Sequence, residues 1–179
     1  MLEFDGGRKH KAMRQLVDAY LDIETTGLSR YYDAITVIGI YRCHGRNSEL
    51  IQLVGEEATR GNLVTALRGV NTIYTYNGSR FDIPFIAASL GIDLATEFYH
   101  HDLMYDCWRN NLFGGFKAVE RQLGIRRELE GVGGFEAVQL WWQYRKGGNQ
   151  NALALLLQYN QEDVVNLKAL RERLAGRRV

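Results

Sequence analysis

Between residues 16 and 24 apolar and polar positions alternate. Val17, Ala19, Leu21 and Ile23 fall on one side, and Asp18, Tyr20, Asp22 and Glu24 on the other. A period of two is that of a strand, whose successive side chains point to opposite faces. After the turn-like run TTGLSRYYD, residues 34–41 (AITVIGIY) and 49–54 (ELIQLV) are rich in β-branched and apolar types, so the chain is expected to open with an antiparallel meander of three strands.

Residues 56–69 carry the apolar spacing of a helix, and residues 71–76 (NTIYTY) read as a strand that ends at the turn signal Asn77-Gly78. This pair predicts a crossover into a parallel strand. Pro84 suits the first turn of a helix running to about Leu90, and a short strand is expected around residues 98–101. From Asp102 onward, helical spacing broken by glycines near 114–115, 131–134 and 147–148 predicts four helices, the last the longest. Strands first and helices afterwards imply an α/β unit, a mixed sheet flanked by helices. With no internal repeat and no dividing linker, residues 1–179 are expected to form one domain with a core at about 16–174, and the basic tail RERLAGRRV is expected to fray.

Composition narrows the picture only modestly. A 46% hydrophobic content is enough for a sizeable core, while 22 Lys and Arg against 21 Asp and Glu leave no global charge signature for nucleic acid. Cys43 and Cys107 lack the spacing of a zinc site and read as free thiols. No apolar run approaches the roughly 20 residues that cross a bilayer, and the polar start MLEFDGGRKHK is unlike a signal peptide. A cytoplasmic protein without a membrane partner is the expectation.

The chemistry lies in the acids. Asp22 and Glu24, two apart on a strand, project from one face about 7 Å apart, close enough to grip cations together. The bland alternative is two strand carboxylates facing water. Tyr159 and Asp163, four apart on the last helix, fall in a single stripe with Leu156, Leu167, Leu170 and Leu174. A carboxylate in such a stripe requires a cation or hydrogen-bond donors, and an arginine such as Arg171 would serve as well as a metal. Asp82 follows a strand and opens a helix, so the loop can aim it at the first strand or use it as an N-cap.

In combination these segments say more. DIETTGL (22–28), NGSRFD (77–82) and YNQED (159–163), in that order, resemble the three exonuclease motifs of the DEDD, or DnaQ-like, superfamily. Tyrosine four before the last aspartate, with Gln158 where the other branch carries histidine, resembles the tyrosine subtype (DEDDy), which is shared with the proofreading domains of family-B polymerases. HHDLMYDCW, GGFKAVERQLGI and YNQEDVVNLKAL are similar to the small YprB-like ribonuclease-H domains, and the likeness runs from about Ala19 to Leu170.

The resemblance implies a ribonuclease-H-like fold: a five-stranded mixed sheet with the first strand central and helices on both faces. It implies a metal-dependent 3′-to-5′ exonuclease acting on a 3′ end of single-stranded DNA or RNA. Asp22, Glu24, Asp82 and Asp163 would hold two divalent cations, Mg²⁺ or Mn²⁺, and Tyr159 would orient the attacking water. Thr25, Thr26 and Leu28 are then candidates for the terminal nucleotide, and Asn77 for the loop or the substrate backbone. Lys117, with Arg121, Arg126 and Arg127, would hold phosphates, unless this stretch is only a solvated helix face. Phe81 is expected in the core, and His100, His101 and Asp102 do not make a zinc site. The competing readings are a structure-specific endonuclease, a non-catalytic nucleic-acid-binding module, and a metal-binding scaffold.

Overall fold

The computed structural model describes residues 16–177. The polar start, residues 1–15, and the last two residues of the basic tail lie outside the described residues.

Among the described residues, five strands form one sheet: β1 (Val17–Thr25), β2 (Ile35–His44), β3 (Asn47–Val54), β4 (Val70–Thr75) and β5 (Tyr99–Asp102), in the order β3-β2-β1-β4-β5. The expected meander is present, with β1–β2 and β2–β3 antiparallel, while β4 and β5 run parallel to β1 and β4 respectively. This mixed pairing makes β1 the central strand and sets the end of β1 against β2, with Asp22 opposite Gly39 and Glu24 opposite Val37.

Among the described residues, seven α-helices connect and cover the sheet: α1 (Arg60–Ala66), α2 (Asp82–Leu90), α3 (Leu94–Glu97), α4 (Leu103–Arg109), α5 (Phe116–Leu123), α6 (Gly134–Gly147) and α7 (Gln150–Ala175). Ala19, Leu21 and Ile23 pack in a core with Leu63 of α1, Ile83, Phe85 and Ile86 of α2, and Leu94 of α3. Tyr20, on the alternate side of β1, packs with Leu103 and Cys107 of α4 and with Val164, Leu167, Leu170 and Leu174 of α7. The period-two pattern of β1 therefore divides an aliphatic core from the face on which Asp22, Glu24 and α7 meet. Burial of these apolar side chains, each roughly 1.5–3 kcal/mol, fixes the register of β1 and with it the facing of both acids.

Two expectations need correction, and one short helix was not anticipated. Residues 56–69 are not one helix: a 3-10 turn (Gly55–Glu57) precedes α1, because Thr59 caps α1 by accepting from the Asn62 N–H at 3.2 Å. Helix α3 has too few residues for periodicity to reveal, and is started by Asp93, which accepts from the Ala95 N–H at 3.0 Å. The basic tail does not fray from its start, since α7 continues to Ala175 with Leu170 and Leu174 buried against the sheet. The four helices after Asp102 and the dominance of the last are as the glycines suggest. Among the described residues, no helix is long and apolar enough to cross a membrane.

Candidate active site

The strand period and the helix period bring the acids to one place. On β1, Asp22 and Glu24 face α7, and on α7 the stripe Leu156, Tyr159, Asp163, Leu167, Leu170, Leu174 is buried throughout its length. One carboxylate oxygen from each of Asp22, Glu24 and Asp163 lies within 4.8 Å of the others. Glu24 is 6% exposed, and its Oε1 is buried without a hydrogen-bond partner among the described residues.

Asp82 reaches the cluster from the other side. It is the first residue of α2, not its N-cap, which is Phe81. Its Oδ1 instead accepts from the Ile23 N–H at 3.0 Å, between Asp22 and Glu24 in sequence. The loop that delivers it is held by Asp102, whose two oxygens accept from the N–H groups of Asn77 at 2.8 Å, Ser79 at 3.1 Å and Met104 at 3.1 Å, and from the Ser79 hydroxyl. Asn77 adopts φ 61°, and a Cβ on Gly78 would lie 2.2 Å from Thr75 Oγ1, so the turn at Asn77-Gly78 depends on both residue types.

The electrostatics follow from this crowding. Burial first, then the neighbouring Asp163, Asp82 and Glu24, raise the Asp22 pKa well above the carboxylate range. Glu24 is raised for the same reasons, burial first and then Asp163. Burial pushes Asp82 up to about 7 against the restraining bond from Ile23, and Asp163 up to about 6 against the charge of Arg127. Four carboxylates that cannot comfortably ionise together are what a divalent cation would relieve. Short oxygen-to-oxygen spacing, a buried unpartnered Glu24 oxygen and an all-oxygen donor set fit a hard cation at Asp22, Glu24 and Asp163, with Asp82 alongside.

Tyr159 is 7% exposed, and its ring is flanked by the Lys117 ammonium at 4.6 Å and the Arg127 guanidinium at 5.6 Å from the centroid. Burial, followed by Asp163, Glu24 and Asp22, raises the pKa of its hydroxyl, which stays protonated at neutral pH.

Two cavities meet at the acids and share Asp22, Tyr76, Gly134, Tyr159 and Asp163. The larger, about 540 Å³, is walled by Ile23, Leu28, Phe81, Phe135 and Val138, and it also contains Thr25, Thr26 and Asn77. The other, about 450 Å³, is lined by Lys117 and Arg121 together with Gly115 and Gly133 at the starts of α5 and α6. Of the sequence candidates, Leu28 is 87% exposed at the rim of the first cavity, whereas the hydroxyls of Thr25 and Thr26 are committed to their own turn, to Gly27 O at 2.6 Å and Asp33 at 3.2 Å. Phe81 packs on Phe85 and the aliphatic core while also touching this cavity.

The basic stretch separates on inspection. Lys117 and Arg121 line the cleft, but Arg127 is not a surface phosphate contact: its side chain is 6% exposed and bonds Asp163 and Glu120. Nor does Arg171 neutralise Asp163; it bonds Asp18 at 2.6 Å and the Tyr20 hydroxyl at 2.9 Å. His100, His101 and Asp102 face different partners, Thr75, Asp106 and the Asn77–Ser79 turn.

Sequence reasoning missed Asn160. Its Nδ2 donates to the Asp22 carboxylate at 3.3 Å and to the Asp22 carbonyl at 3.4 Å, while its Oδ1 accepts from Gln52 Nε2 at 3.0 Å. A lone glycine in the β-branched run of β2 was the available signal, because Gly39 lies directly against this amide.

The family described as the RNase_H superfamily matches residues 19–175. The uncharacterized protein YprB of Bacillus subtilis is 27% identical over 166 residues, which cover 84% of this chain and 40% of YprB. The chain therefore spans less than half the length of that relative. The family B DNA polymerase of Pyrobaculum calidifontis superposes with a TM-score of 0.68 at 18% identity, over 89% of this chain and 24% of the polymerase. The apo form of a nuclease superposes with a TM-score of 0.60 at 20% identity, over 92% of this chain and 73% of that one. At these identities the likeness concerns the fold.

Proposed function

Because this chain belongs to the RNase_H superfamily, we propose that it is a metal-dependent 3′-to-5′ exonuclease of the DEDD type, tyrosine subtype, acting on single-stranded DNA or RNA. The observation that carries the reading is the convergence of half-buried Asp22 with buried Glu24 and Asp163 within 4.8 Å, with Asp82 bonded to the strand between the first two.

In this reading Asp22, Glu24, Asp82 and Asp163 hold two Mg²⁺ or Mn²⁺ ions. When bound, such ions lower the pKa of a water and offset the charge that builds on the leaving 3′ oxygen. The remaining work belongs to the chain. Asn160 orients the Asp22 carboxylate, and Asp102 holds the turn that delivers Asp82. Tyr159 lines both cavities, and its protonated hydroxyl would hold the attacking water by hydrogen bonding, since a group kept in its neutral form is a poor base.

The two cavities suit the two sides of a scissile phosphate. The apolar one, with Leu28 and Phe135 at its walls, suits a terminal nucleoside, and the one lined by Lys117 and Arg121 suits the anionic strand.

The test is incubation of the protein with 5′-labelled single-stranded DNA and RNA in Mg²⁺, Mn²⁺ or EDTA, beside Asp163→Ala and a circular substrate. A metal-dependent ladder, absent from the variant and from the circle, is the expected result. Cleavage of the circle would instead identify an endonuclease, and intact substrate in every lane would defeat the proposal.

A further inference from the structure

Arg127 lies between α5 and α6 with its side chain only 6% exposed. Its Nε and Nη2 donate to the two oxygens of Glu120 at 3.0 and 2.8 Å, and Nη2 also donates to Oδ1 of Asp163 at 2.5 Å. Asn166, three residues after Asp163 on α7, donates to Glu120 Oε1 at 2.8 Å and to the Arg126 carbonyl at 3.1 Å. The chain Asp163, Arg127, Glu120, Asn166 thus closes back onto the helix that carries Asp163. Glu120 and Asn166 are themselves buried, and neither lines the two cavities at the acids.

As a stabilising device this arrangement is a poor choice, because desolvating two carboxylates and a guanidinium costs as much as or more than packing apolar groups in the same volume. What a planar, bidentate fork supplies is orientation. We infer that Arg127 is the positioning residue for Asp163: two bonds to Glu120 hold the guanidinium, and the held guanidinium donates to Asp163 Oδ1, fixing the rotation in which this carboxylate meets Asp22 and Glu24. The inference rests on the reading of Asp163 as a metal-holding residue.

Its test needs no nucleic acid. Mn²⁺ is titrated into the full chain and into Arg127→Gln, Arg127→Lys, Glu120→Gln and Asp163→Ala, with free Mn²⁺ followed by electron paramagnetic resonance and folding checked by circular dichroism. Loss of an orienting partner behind a metal ligand weakens binding by about 10–100-fold, and this is the expected result for Arg127→Gln. Glu120→Gln, which keeps the side-chain shape but frees one flank of the guanidinium, is expected to weaken binding in the same direction, and it carries the test if Arg127→Gln does not fold. Arg127→Lys keeps the charge without the fork and is expected not to restore affinity. Full recovery in that variant would overturn the inference in favour of charge alone. Unchanged or tighter binding in Arg127→Gln would also overturn it, since Arg127 would then compete for Asp163 and not support it. If Asp163→Ala binds Mn²⁺ like the unaltered chain, the proposed function falls as well; if only Asp163→Ala loses Mn²⁺, this inference falls alone.

Discussion

A Cβ on Gly39 would lie 2.1 Å from Oδ1 of Asn160, so β2 and α7 approach each other at a point where only glycine leaves room. That contact sets the Asn160 amide, which Gln52 holds from one side and which donates to Asp22 on the other. Gly39→Ala must displace Asn160, and through it the orientation of Asp22. Overpacking of this kind costs about 1–3 kcal/mol. The variant is expected to melt several degrees lower and to bind Mn²⁺ more weakly, measured by thermal denaturation and metal titration. Lower stability with unchanged Mn²⁺ affinity would mean that Asp22 is held without Asn160.

Tyr159 and Asp163 are separable by substitution. The Tyr159 ring is packed between Lys117 and Arg127, and burial keeps its hydroxyl protonated, so removing the hydroxyl alone changes the water it would orient and little else. Tyr159→Phe is expected to lower kcat by about 10²-fold while leaving Mn²⁺ affinity nearly intact. Asp22→Ala and Asp163→Ala are expected to abolish both. Steady-state kinetics beside Mn²⁺ titration separates these outcomes, and equal turnover in all three variants would remove these residues from the mechanism.

How much of this was legible beforehand depends on the range of the interaction. The alternation of β1 and the stripe of α7 report burial, and burial alone determines which way Asp22, Glu24, Tyr159 and Asp163 face. Those four were therefore readable from spacing, and Asp82 from the turn before it. Asn160 and Arg127 act through partners 138 and 36 residues away, and no local pattern distinguishes Arg127 from Arg126 or Arg121. Asp102 caps α4, a local role, but its bonds to Asn77 and Ser79 arise only when β5 pairs beside β4. Short elements such as α3, set by one capping side chain, carry too few residues for periodicity to register.

Asp102 offers a test of how Asp82 is delivered. Its carboxylate satisfies three backbone N–H groups at the turn and at the start of α4, and charged acceptors of this kind contribute about 1.5–3 kcal/mol each when buried. Asp102→Ala is expected to lower the melting temperature, read by thermal denaturation, and to raise amide exchange at Asn77 and Ser79, read by hydrogen exchange with mass spectrometry. Activity is expected to fall through a loosened Asp82. Protection of the turn unchanged in the variant would show that Asn77-Gly78 is held by the strand alone.

The carboxylate cluster also predicts how stability depends on pH before metal is added. Burial pushes Asp82 up to about 7 and Asp163 up to about 6, and raises Asp22 and Glu24 as well. An unfolded chain releases these protons near pH 4, so between about pH 4 and 7 the folded chain binds more protons than the unfolded one. The stability these four acids contribute must then fall as pH rises through that window, being fully present below the unfolded values and lost above the folded ones. A change on the order of a few kcal/mol corresponds to roughly 5–10 °C for a domain of this size. In EDTA the chain is expected to melt lower at about pH 8 than at about pH 5. Excess Mn²⁺ is expected to raise the melting temperature more at about pH 8, where fewer protons compete for the same oxygens. A metal-free chain that is more stable at the higher pH would mean that the acids are ionised and compensated by the protein itself, and the argument for a cation at Asp22, Glu24 and Asp163 would lose its electrostatic basis.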